Sequence, residues 1–238
     1  MIPISEAVKI IERESFTLPA ETIDLENSIG RVLAENVAAD MDLPPFDRSQ
    51  MDGFAVRTDD LKKTPARLKI LGEAVAGKGF DGKLKAGEAV RIMTGARVPK
   101  GADAVQKVEL TNAAGDFVEI LETPAGGQNI NRFASEIKKG EKIFARGEIV
   151  TGQMIAALAS FGYARVKVYR KPRVTVLATG SEIVDVGEKP DRDQIRNSNS
   201  VMLKTLADAF ADVRVLPLVR DDLETLTATI AEVAGHDS

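Results

Sequence analysis

Among its 238 residues the chain has no cysteine, no tryptophan and a single histidine. Without cysteine there can be no disulfide, no thiolate nucleophile and no thiolate-bound zinc. The histidine, His236, is third from the end, so general acid–base chemistry has to come from carboxylates, Lys and Arg, hydroxyls or backbone amides. A metal held by such a chain would be an oxygen-liganded ion such as Mg²⁺. No run of about 18 apolar residues occurs, and the start Met1-Ile2-Pro3-Ile4-Ser5-Glu6 lacks a basic segment followed by an apolar core. This predicts a cytoplasmic protein with no membrane partner. Excess positive charge is also lacking: 36 Asp and Glu against 32 Lys and Arg give a net charge of −4, which predicts no nucleic-acid partner.

What is present is a 44% hydrophobic chain, long enough for more than one packed unit. Ser5 is placed to cap a helix through Val8, Ile10 and Ile11 to Glu14, and a second helical spacing follows in Leu25, Ile29, Val32 and Leu33. From Pro44 onward the texture changes to short strands at Gly53–Val56, 68–75, 89–93, 104–110 and 117–121. Lys78-Gly79, Asp81-Gly82, Ala86-Gly87, Lys100-Gly101 and Ala114-Gly115 separate them and read as turns. A helix capped at Thr151 and stopped at Gly162 then presents Met154, Ile155, Ala157, Leu158 and Phe161. Lys171-Pro172 interrupts regular pairing. Beyond it strand (173–178), helix (197–211), strand (213–219) and helix (222–234) alternate, which implies parallel pairing in an α/β layer. The predicted fold class is therefore multidomain α+β and α/β. A β-barrel-like domain, 47–136, is inserted into an N-terminal helical/β domain formed by 1–46 and 137–170, and an α/β domain, 171–238, follows. The apolar faces near Val8, Leu33 and 154–161 predict a dimer through the N-terminal domain.

Three polar clusters fall at the carboxyl ends of the two C-terminal strands, where open α/β sheets bind ligands. They are Thr179-Gly180-Ser181-Glu182, Asn197-Ser198-Asn199-Ser200 and Arg220-Asp221-Asp222. Gly180 lets backbone amides approach an anion, Asn197, Ser198 and Asn199 can hold a phosphate or ribose, and Glu182 with Asp221 could share a Mg²⁺. The competing reading makes Asn197, Ser198 and Asp222 helix caps. The run from Pro44 to Arg57, Pro-Pro-Phe-Asp-Arg-Ser-Gln-Met-Asp-Gly-Phe-Ala-Val-Arg, carries more punctuation and charge than folding requires. Two prolines hold it extended, Asp47 and Ser49 can bond to their own backbone, and Asp52-Gly53 permits a positive-φ turn before the alternation of Phe54 and Val56.

Met51-Asp52-Gly53-Phe54-Ala55-Val56-Arg57, Arg91-Ile92-Met93-Thr94-Gly95-Ala96, Gly101-Ala102-Asp103-Ala104-Val105, Gly127-Gln128-Asn129-Ile130, Thr179-Gly180-Ser181-Glu182 and Gln194-Ile195-Arg196-Asn197-Ser198-Asn199 follow one another along nearly the whole chain. In motif and order it resembles the molybdopterin molybdenumtransferase family, MoeA in bacteria, represented in animals by the gephyrin E domain. The resemblance implies transfer of molybdenum from molybdate into adenylylated molybdopterin, with Mg²⁺ and release of AMP, by an elongated homodimer, with the preceding adenylyltransferase of the pathway as a candidate partner. It implies catalytic roles for Asp52, Thr94, Glu136, Glu182 and Asp221, substrate binding by Arg132, Gly180, Ser181, Asn197, Ser198 and Asn199, and metal binding by Glu182 and Asp221. A noncatalytic dimeric scaffold, or a nucleotide- or pterin-binding regulator on the same fold, is the alternative.

Several positions depart from the family pattern. Asn131 stands for an arginine, Ala134 for a glycine and Glu136 for an aspartate, with Arg132 one place from the missing charge. Ser181 and Asn197 stand where carboxylates are frequent. Family members also continue past the equivalent of Ser238, so the three-layer α/β domain is expected to be incomplete and the chain to be a fragment inactive on its own.

Overall fold

The computed structural model describes residues 2–236, and the chain divides into two units, Met1–Val37 with Phe144–Ser238, and Ala38–Ile143. In the first unit, helix α1 (Ile4–Glu14) starts from Pro3, not from a Ser5 cap, and buries none of its residues. Ile4, Val8 and Ile11, spaced to share one face, are all exposed. The second helical spacing does not produce a helix. Only the 3₁₀ turn Leu25–Asn27 forms, because Gly30 takes a positive φ of 74° and breaks the periodicity. Val32 and Leu33 instead bridge to Ile149 and Val168.

The strand pair that anchors this region was not anticipated. Ala20–Asp24 runs antiparallel to Arg165–Tyr169, with Glu21 opposite Val168 and Ile23 opposite Val166. Helix α2 (Gly152–Ser160) follows its predicted cap, with Thr151 Oγ1 accepting from the Met154 amide at 3.3 Å. Leu33, Met154, Leu158 and Phe161 are buried inside the unit. They therefore do not offer the free apolar face expected of them, and only α1 does.

In the C-terminal part, Arg173–Val176 and Asp212–Val215 pair in parallel, Val174 opposite Val213, and Thr179 and Val219 extend the pairing as a parallel bridge. Helix α3 (Ser198–Ala207) lies between the two strands in the chain, as the crossover of a parallel pair requires, and helix α4 (Leu223–His236) follows the second strand.

The second unit is built on six strands in the order Ala104–Lys107, Gly53–Val56, Glu88–Ile92, Ala66–Ala74, Phe117–Ile120, Thr111–Ala114. All neighbours are antiparallel except Ala66–Ala74 with Glu88–Ile92. The pairing is linear with two ends, so the barrel-like unit is a curled six-stranded sheet that does not close into a full barrel. Alternate residues supply two apolar clusters. Phe54, Val56, Leu61, Leu68, Val118 and Ile120 form one, and Ala55, Val90, Ile92, Val105, Leu84 and Ala96 the other. Gly53–Val56 is buried at every position, the pattern of a strand packed on both faces.

Candidate functional site

Asp52 lies just before the strand Gly53–Val56, and Thr94 just after its neighbour Glu88–Ile92, where Gly53 pairs with Ile92. Antiparallel pairing brings the end of one motif to the start of the other. Asp52 Oδ1 accepts from the Thr94 amide and from Thr94 Oγ1, each at 2.7 Å. The Thr94 amide, then its hydroxyl, hold the Asp52 carboxyl below the usual value of 3.8; slight desolvation opposes them and the Arg91 charge assists. Asp52 is thus an exposed carboxylate with one oxygen occupied by Thr94 and, among the described residues, no donor to Oδ2.

Because the folded carboxyl is depressed, its stabilising contribution is present above the ordinary aspartate value of 3.8 and is lost as pH falls through the lower folded value. Thr94→Val removes the hydroxyl and keeps the amide. The Asp52 titration, followed by carbon NMR of labelled aspartate, is expected to move up toward the ordinary range without reaching it. An unmoved titration would remove the hydroxyl from the account.

Gly53 does not serve the turn expected of it: its φ is not positive. A Cβ there would lie 2.0 Å from the Gln106 carbonyl oxygen, so glycine is needed for the close approach to the strand Ala104–Lys107.

The rest of the proline-framed run binds the 129–136 segment. Arg48–Ser49 pairs antiparallel with Ile130–Asn131, and Ser49 Oγ donates to the Met51 carbonyl at 2.6 Å as its local-turn role predicts. Asp47, however, bonds across the fold and not to its own backbone. It accepts from the Phe133 amide and from Arg132 Nη1, both at 2.7 Å. Partial burial pushes the Asp47 carboxyl up, but the Phe133 amide and Arg132 outweigh it and hold it below its usual range. Glu136 Oε1 accepts from Arg48 Nη2 at 2.9 Å and from Asn131 Nδ2 at 2.6 Å. Arg132 and Glu136 are therefore engaged with the 47–48 segment, whereas Asp52 and Thr94 are engaged with each other. Asp47 and Arg48, the partners that place this loop, were missed as site-building residues, although a charged Asp-Arg pair after two prolines was the available signal.

Ala134, in place of the family's glycine, has a φ of 55°, a left-handed conformation that costs an L-residue roughly 1–2 kcal/mol. Its amide is fixed to the Pro44 carbonyl at 3.0 Å, so the strain cannot relax freely. Ala134→Gly is expected to stabilise the unit by about 1 kcal/mol, read as a higher urea midpoint. A lower midpoint would show that no strain is stored there.

In the α/β part the first two clusters are stapled together. Ile183–Val184 and Ile195–Arg196 pair in parallel, with the Ile195 amide donating to the Glu182 carbonyl and the Asn197 amide to that of Val184, each at 2.8 Å. Thr179, Asn197, Ser198 and Asn199 consequently line one cleft of about 290 Å³. Gly180 sits beside it at φ 146°, where a Cβ would come within 2.8 Å of Glu182 Oε2. Asn197 also caps α3, accepting from the Ser200 amide at 3.1 Å. Asp222 is a cap as well: its carboxylate accepts from the Thr225 amide and hydroxyl, each at 2.8 Å, and these bonds hold it below the usual carboxylate range. The bridge between Thr179 and Val219 sets the segments bearing Glu182 and Asp221 at the same end of the paired strands. Gly180, Ser181, Glu182 and Asp221 are not among the cleft-lining residues.

Residues 2–162 match the protein family described as "MoeA N-terminal region (domain I and II)", and the chain belongs to that family. It is 37% identical over 242 residues to a molybdopterin molybdenumtransferase of Staphylococcus aureus (strain Mu50), covering 99% of this chain and 58% of that protein. It is 38% identical over 240 residues to the molybdopterin molybdenumtransferase of Bacillus subtilis (strain 168), covering 97% and 56%. Among solved structures, the molybdopterin biosynthesis MoeA protein of Pyrococcus horikoshii OT3 superposes with a TM-score of 0.89 at 32% identity, covering 100% of this chain and 65% of that one. The chain thus spans somewhat more than half the length of the curated relatives it matches.

Proposed function

We propose that the chain acts in molybdenum cofactor biosynthesis, in the transfer of molybdenum from molybdate to adenylylated molybdopterin with release of AMP. The observation that carries this reading is the Asp52–Thr94 pair. Two separated motifs converge to hold one exposed carboxylate ionised, with an oxygen left over to orient water or a metal ion. The names of the relatives at 37% and 38% identity support the same chemistry.

Thr179, Asn197, Ser198 and Asn199 would receive the phosphate or ribose of the substrate, with Gly180 and Ser181 offering amides at the rim. Mg²⁺ suits the donors available. Among the described residues no group of three or more His, Cys, Asp or Glu could hold a metal, which argues against a full protein cage, whereas Mg²⁺ commonly takes one or two carboxylates and completes its shell with water and phosphate. Glu182 and Asp221 are the carboxylates assigned to it, and it would supply charge neutralisation at the phosphoanhydride. The unpartnered apolar face of α1 supports a homodimer. Among the described residues no helix is long and apolar enough to cross a membrane. The place of action proposed is the cytoplasm, with the pterin delivered by the preceding adenylyltransferase.

The test is AMP release from adenylylated molybdopterin with molybdate. Chelation of Mg²⁺ is expected to abolish it and added Mg²⁺ to restore it. Tight pterin binding with no release at any Mg²⁺ concentration would favour the regulator reading instead.

A further inference from the structure

Residues 169–173, Tyr-Arg-Lys-Pro-Arg, concentrate three cations within four positions, and they line a second cleft in the first unit. Its volume is about 870 Å³, three times that of the cleft at Thr179, and within the range of small-molecule sites. Phe16, Leu18 and Pro19 line it together with Tyr169, Arg170 and Lys171. Backbone bonds fix its walls. The Arg170 amide donates to the Pro19 carbonyl at 3.0 Å, the Tyr169 amide to the Val32 carbonyl at 2.9 Å, and the Asp212 amide to the Pro172 carbonyl at 2.9 Å. The Tyr169 side chain is held as well, its hydroxyl accepting from Arg146 Nε and its ring lying under the Arg146 guanidinium at 5.3 Å.

No acidic residue lines the cleft, and among the described residues neither Arg170 nor Lys171 has an ion-pair partner. Adjacent like charges repel, and a multiply charged anion between them relieves that repulsion. Phe16 is 81% exposed, an apolar ring left largely uncovered by the described residues. We propose that this cleft binds a small molecule that joins a phosphate, or a similar tetrahedral oxyanion, to an apolar planar body of mononucleotide size. Arg170 and Lys171 meet the oxyanion, and Phe16, Leu18 and Pro19 cover the planar body.

The site is separate from the cleft at Thr179, and titration calorimetry distinguishes them. AMP, adenosine and inorganic phosphate serve as probes of the chain and its variants. AMP is expected to bind at least tenfold more tightly than adenosine or phosphate. Replacing Arg170→Gln and Lys171→Gln together should weaken AMP at least tenfold, and Phe16→Ser at least threefold. Arg170→Lys should retain binding, and Gly126→Ala, at a position in neither cleft whose added Cβ meets nothing within 4 Å, should leave it unchanged. Because the replaced groups lie at the surface, thermal melts of these variants should match the parent. AMP binding that ignores the Arg170/Lys171 pair, or that is no tighter than phosphate, would overturn the assignment.

Discussion

Gly53→Ala is expected to destabilise the six-stranded unit by more than about 3 kcal/mol, the upper end of what forcing atoms into a packed interior costs. The new Cβ would stand 2.0 Å from the Gln106 carbonyl oxygen, 2.9 Å from its carbonyl carbon and 2.9 Å from Lys107 Cα. All three are backbone atoms, which cannot swing aside as a side chain can. Gly53 pairs with Lys107 on one side and Ile92 on the other, so any shift propagates into two strand pairs and both apolar clusters. Gly126→Ala is the control, since nothing lies within 4 Å of its added Cβ and its φ is not positive; it should change stability by no more than about 0.5 kcal/mol. Urea unfolding of the two variants makes the comparison. Equal midpoints would mean that the strand separates at little cost and that glycine at this position serves something other than close packing.

On the proposed function, Asp52→Asn should reduce AMP release by a full-length version about 100-fold or more, the scale on which losing a positioned catalytic charge costs, while leaving stability nearly unchanged. Asparagine keeps an oxygen able to accept from the Thr94 amide and hydroxyl, so the local geometry survives and the charge alone is removed. The side chain is exposed and touches neither core cluster, so folding has little stake in it. A variant that melts well below the parent but turns over normally would return Asp52 to a structural role. Glutamate at the same position retains charge but displaces it by one methylene; partial activity there would separate the need for charge from the need for position.

The sequence expressed some of these features in local chemistry. Thr151 and Asn197 were legible as caps because a side-chain oxygen two to three residues before a run of helical amides has one favourable partner. The alternation of Phe54 and Val56 marked a strand, and helices interleaved with apolar strands foretold the parallel pairing of 173–176 with 212–215. Other features had no local signature. Ala20–Asp24 was missed as a strand because its stability comes from Arg165–Tyr169, some 140 residues away in the chain. The spacing of Leu25, Ile29, Val32 and Leu33 imitated a helix because apolar residues that bury themselves in loops and bridges can fall at helical intervals by position alone.

Composition and motif order by themselves determined that acid–base chemistry here would rest on carboxylates, Lys and Arg, hydroxyls or amides, that the middle of the chain is β and its end α/β, and that Asp52 and Thr94 stand in the two longest motifs. Only the tertiary structure decided which of those residues meet. Asp52 reaches Thr94 because Gly53 lies opposite Ile92, whereas Arg132 and Glu136, equally polar and equally exposed, are drawn to Asp47 and Arg48 by the short pairing of 48–49 with 130–131. Strand register is a property of two segments at once, set by which apolar faces can be buried together, and neither segment carries that information alone.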